Sequence, residues 1–64
     1  MNTRIEQLLQ IFNAAVWDGN LISKKERDNL RNVGLIKRAQ GWNFITPKGI
    51  RYLSDLNLIR STNP

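Results

Sequence analysis

Residues 23–48 read SKKERDNLRNVGLIKRAQGWNFITPK, and the reading of this stretch decides the fold. Ser23 with Glu26 three residues on has the capping-box spacing, in which hydroxyl and carboxylate each satisfy a free N–H at a helix start. Gly34 supplies the stop, because glycine tolerates the left-handed conformation that ends helices, and Leu35 folds back as the apolar contact beyond it. Two β-rich runs, 35–39 and 42–46, then flank Gln40-Gly41, and glycine at the second turn position suits a type I′ hairpin. Thr46-Pro47 begins another helix, with threonine as N-cap and proline at the first helical position, where its missing N–H is not needed.

A two-residue turn fixes the hairpin register: Ala39 opposite Trp42, Lys37 opposite Phe44, Ile36 opposite Ile45. Alternation puts Leu35, Lys37, Ala39, Trp42 and Phe44 on one face and Ile36, Arg38, Asn43 and Ile45 on the other. Ile36 and Ile45 are expected to touch the core near the hairpin base, with Arg38, Gln40 and Asn43 gathered towards a polar tip. Trp42 reads as an aromatic covering the sheet, with an exposed contact as the alternative.

Upstream of Ser23, the spacing of Thr3 and Glu6 predicts a helix over about 4–17. Ile5, Leu8, Leu9, Phe12, Ala15 and Val16 form its apolar stripe, and Ile11 falls on a flank or an exposed patch. Asp18-Gly19-Asn20 is the turn that ends it after Trp17. Leu21-Ile22 is compatible with a one-rung strand beside the hairpin or with an apolar lead-in to the next helix. That helix, about 24–33, has Leu30 and Val33 as core residues and turns Lys24, Arg27, Asp28 and Arg31 to the opposite side. Downstream, a helix over about 47–57 carries Ile50, Leu53 and Leu56 with Tyr52 on a flank, and 60–64 reads as a polar tail.

The chain has 64 residues, enough for one small domain that buries only ~60% of its unfolded surface. It has no cysteine and no histidine, which removes disulfides, thiolate metal sites, and the commonest general base and metal ligand. The carboxylates that remain have structural explanations as caps, turns and surface charges, and no phosphate-cradling loop appears, so the composition points away from an enzyme and from any cofactor. No apolar run approaches the ~18 residues of a membrane span, and the N-terminus lacks a secretory pattern, so a cytoplasmic protein with no membrane partner is expected. The formal charge is +5, concentrated between Lys24 and Arg51, where eight cations face only Glu26 and Asp28. Clustered positive charge confers a salt-dependent affinity for nucleic acid, although lysine and arginine also serve simply to solubilise a surface.

Two motifs carry a resemblance. Val33-Gly34-Leu35-Ile36-Lys37-Arg38, and after the turn Phe44-Ile45-Thr46-Pro47-Lys48-Gly49-Ile50 with Leu53, resemble the end of the recognition helix and the closing wing of winged helix-turn-helix regulators. The match covers roughly residues 23–53, and the "DGNLISKK…GWNFIT" flavour is similar to small phage and prophage proteins. The resemblance implies an α+β, winged-helix-like domain of order α-(short β)-α-β-β-α. The chain has room for only two of the three helices that usually precede the wing, and its C-terminal helix would take the place of the third.

It also implies a small transcriptional regulator that binds double-stranded DNA in a bacterial cell or phage-infected host. Helix 24–33 would enter the major groove with Lys24, Arg27 and Arg31. The wing tip, with Arg38, Gln40 and Asn43, would touch the backbone or minor groove, and Lys25, Lys37 and Lys48 would neutralise phosphates. A single module buries little area, so useful specificity calls for a homodimer or a protein partner, with Ile11, Leu58 and Ile59 either as candidate contacts or as filling for the small core. The rival classes are a phage accessory or inhibitor protein, which would set the same basic face against an acidic partner or use Trp42 and Tyr52 as aromatic anchors, and a small virion component.

Overall fold

A computed structural model describes residues 2–60. The order is helix α1 (Thr3–Asn13), strand β1 (Val16–Trp17), a 3-10 turn (Asp18–Asn20), helix α2 (Lys24–Asn32), strands β2 (Ile36–Ala39) and β3 (Trp42–Ile45), and helix α3 (Pro47–Asp55). The class is α+β, with a three-stranded antiparallel sheet ordered β1-β3-β2. The polar tail expected over 60–64 lies, apart from Arg60, outside the described residues.

Short-range signals built most of this. Ser23 caps α2, its Oγ accepting the Glu26 N–H at 3.2 Å. At the other end Gly34 has φ +81°, the Leu35 N–H donates to Leu30 O at 2.9 Å and the Gly34 N–H to Arg31 O at 3.0 Å. That pair of bonds is a Schellman stop. The hairpin has the expected register throughout, and its turn residues Gln40 (φ 52°) and Gly41 (φ 85°) are both left-handed, as a type I′ turn requires. Thr46 caps α3 by accepting the Gly49 N–H at 3.1 Å, and its hydroxyl also donates to Gly34 O at 2.7 Å. The start of α3 is thereby fastened to the end of α2.

The N-terminal third departs from expectation. The first helix ends at Asn13, four residues short of Trp17, and the backbone at Ala14 is extended. Its N-cap is Asn2, whose Oδ1 accepts the Ile5 N–H at 2.9 Å, so the Thr3–Glu6 box does not form the cap. Val16-Trp17 leaves the helix to pair with Asn43 and Trp42 of β3. This is the short strand, and Leu21-Ile22 is not. Pairing with β3 supplies Val16 with a buried site and backbone partners, which outweighs the few tenths of a kcal/mol that helix propensity assigns to each residue.

The core is Leu8 and Ile11 of α1, Val16, Leu30, Leu35, Ile36 and Leu53. Ile11 is therefore a core residue and not a flank or partner contact: the buried edge of α1 runs through Gln7, Leu8 and Ile11, with Leu9 and Phe12 only partly buried. Ile59 also packs against this cluster. Val33 is 44% exposed, so Leu30 alone anchors α2 in the core. Leu56, expected on the core face of α3, is likewise exposed, because α3 ends at Asp55.

Candidate nucleic-acid interface

The long charged residues divide into a tied set and a free set, and Asp18 makes the division. Asp18 sits in the 3-10 turn after β1, where its N–H donates to Gly41 O at 3.0 Å. Arg38 Nε donates to both Asp18 oxygens, at 3.1 Å and 2.9 Å, and the Asn43 amide donates to Oδ1 at 2.8 Å. Arg27 Nη1 completes the cluster at 3.3 Å from Asp18 Oδ1, while its Nε donates to Asp28 at 3.0 Å. The Arg38 hydrogen bonds, then the Asn43 bond and the charges of Arg38 and Arg27, hold the Asp18 carboxyl well below the usual carboxylate range.

Asn43 is not a tip residue. It is fully buried, and its amide also donates to Val16 O at 3.0 Å. One side chain thus ties β1 to β3 and holds Asp18 in place. Arg38 lies on the same inward face beside it, since Arg38 and Asn43 are register partners. Arg27, at 17% side-chain exposure, and Arg38 are therefore committed to Asp18 and do not present a free guanidinium. Lys48 is exposed but reaches the end of α2, with Nζ donating to Val33 O at 2.8 Å. A cation is favourable there, at the negative end of the helix dipole.

The other expected contacts are open to solvent. Lys24 and Lys25 lie in the first turn of α2, and Arg31, at 47% side-chain exposure, stands about two turns further on the same side as Lys24. With Asp28 and Asn32 they form the outward stripe of α2, three cations to one carboxylate. The Arg31–Asp28 contact is a loose 3.9 Å. Gln40 is exposed in the turn, and Lys37 is exposed on the outer sheet face. Glu26, by contrast, is turned away from the stripe. Its carboxylate accepts Arg4 Nε at 2.7 Å and Asn29 Nδ2 at 3.3 Å, with the Arg4 bond the main cause of its lowered pKa. The Ser23 N–H that a capping box assigns to this carboxylate goes instead to the buried Gln7, at 2.6 Å.

The sequence reading missed two residues. Asp18 was legible as a turn former, but its partners lie 20 and 25 residues away. Trp17 was hidden inside an apparent helix. Val16-Trp17 is a β-branched and aromatic pair directly before a turn, and that was the available signal for a strand.

No protein family matches this chain. No characterised protein matches it either, and no solved structure does.

Proposed function

We propose that the protein binds double-stranded DNA as a small winged-helix-like regulator of phage or prophage type. The outward stripe of α2 enters the major groove, and the hairpin turn lies along the backbone. The observation that carries this reading is the stripe itself. Lys24 and Lys25 occupy the first turn of α2 beside Glu26, so two of its three long charged side chains are cations where the helix dipole disfavours positive charge. A duplex phosphate backbone reverses that penalty. Lys24, Lys25 and Arg31 then make the α2 contacts, Lys37 and Gln40 lie on the hairpin, and Arg27 and Arg38 keep the hairpin turned towards α2 through Asp18.

The test is a titration with mixed-sequence duplex DNA at two salt concentrations, followed by amide shifts. Shifts gathered in residues 23–43, with an affinity that falls steeply with salt, are expected, each phosphate contact adding about 0.9 to the logarithmic salt slope. Lys24→Glu with Arg31→Glu should abolish binding while leaving the fold intact, because neither side chain touches the core. Absence of shifts at low salt, or unchanged binding by the double variant, overturns the reading.

A further inference from the structure

The outer face of the sheet carries an aromatic cluster that the proposed duplex contacts do not use, and only Lys37 is common to both surfaces. Trp17 of β1, Trp42 and Phe44 of β3, and Lys37 and Ala39 of β2 share this face, as their register requires. Trp17, Trp42 and Phe44 are 45%, 44% and 36% exposed, a large apolar exposure for so small a domain. The two indoles are neighbours across the β1–β3 pair, with ring centroids 5.4 Å apart and planes at 63°. Trp17 also lies against Gly41, where a Cβ would collide with the indole ring. Glycine at the hairpin turn therefore serves the indole as well as the backbone, and Trp17 buttresses Trp42.

Trp42 and Phe44 are two residues apart on one strand face, about 7 Å along the strand, so each offers its own ring to solvent. Lys37 stands directly opposite Phe44, and Ala39 leaves a low shelf beside Trp42. None of these five residues is acidic. Aromatic rings on an open sheet with an adjacent cation are what unpaired bases require, since every base has a π-face and every nucleotide a phosphate.

We propose that the outer sheet face is a stacking platform for single-stranded nucleic acid, with Trp42 and Phe44 stacking on bases and Lys37 meeting the phosphates. Charge selects this occupant over a second copy of the chain. Two copies joined through this face would oppose net charges of +5 and bring Lys37 into the contact. A protein partner is also less suited, because aromatic anchors at protein interfaces work from well-packed pockets, and these rings stand on an open strand face.

Both tryptophans of the chain lie on this face, so their fluorescence reports its occupancy. The probe is an oligothymidylate of about fifteen nucleotides, long enough for one binding site of this kind. An abasic strand of equal length and polyglutamate serve as base-free polyanions. The thymidylate is expected to quench the emission and to bind at least about tenfold more tightly than either control, and Trp42→Ala or Phe44→Ala should weaken it about tenfold or more. Should Trp42→Ala fail to fold by circular dichroism, Phe44→Ala and the abasic comparison decide. The proposal is overturned by no quench, by equal affinity for the base-free polyanions, or by unchanged affinity of the folded variants. A quench that grows with protein concentration alone, with a dimer in sedimentation, overturns it in favour of self-association. Lys24→Glu with Arg31→Glu, expected to abolish duplex binding, should leave thymidylate quenching in place, so the two sites fail separately.

Discussion

Arg38 and Asp18 are joined by a two-pronged contact across the sheet, with Arg38 Nε 2.9 Å from Asp18 Oδ2 and a sequence separation of 20. Arg27 and Asn43 converge on the same carboxylate, so the 3-10 turn, α2 and the hairpin meet at one side chain. The consequence reaches the basic surface. Two of the arginines expected to contact DNA are held by an acid, whereas Lys24, Lys25, Lys37 and Arg31 remain exposed.

Asp18→Asn keeps the shape and removes the charge. A lower Tm is expected in a thermal melt, with Arg27 and Arg38 no longer fixed. The wild-type carboxyl titrates below its unfolded value, so its contribution is complete above the ordinary aspartate pKa of about 4 and is lost as pH falls from there through the depressed folded value. Urea midpoints measured from neutral pH downwards should therefore fall in the wild type through this acid window and fall less in Asp18→Asn.

Arg27→Glu and Arg31→Glu separate the tied set from the free one. Glutamate at 27 meets Asp18 and Asp28 at close range and should lower Tm, whereas glutamate at 31 replaces an exposed side chain with one loose contact. The Arg31 change is expected to stay within about 0.5 kcal/mol of wild type in urea unfolding. Equal losses from the two would show that Asp18 is not the partner that matters.

Leu30→Ala should cost about 2–5 kcal/mol, the usual range for a fully buried leucine, and that is enough to unfold a domain of this size. Val33→Ala, three residues on and nearly half exposed, should cost well under that. Comparable losses at both positions would put Val33 back in the core.

Gly49→Ala sets two effects against each other. In a helix interior alanine is favoured over glycine by about 1 kcal/mol. Here a Cβ would collide with the carbonyl oxygen of Leu35 and with the Ile45 side chain, because α3 starts directly against the β2 entry. The collision involves backbone, which cannot swing aside, so a net loss of about 1–3 kcal/mol is expected in urea unfolding.

Sequence alone determined every element whose causes lie within a few residues. The Ser23 cap, the Gly34 stop, the Gln40-Gly41 turn with its register, and the Thr46-Pro47 start are each closed by bonds between near neighbours in the chain. The α+β class and the hairpin followed from them.

Tertiary structure decided where the first helix stops, which side of it is buried, and which cations stay free. Val16 fits a helical stripe as well as a strand and Trp17 falls within the same expected helix, and only β3, arriving about 26 residues later, settles the matter by pairing with them. The fates of Arg27, Arg38 and Asn43 depend in turn on Asp18, whose position follows from that strand. Helix periodicity is a local average over one face, while strand pairing and ion pairing are contacts between distant segments. Where the two compete, the contact that buries a side chain and satisfies backbone groups wins, and its partner is not visible in the local sequence.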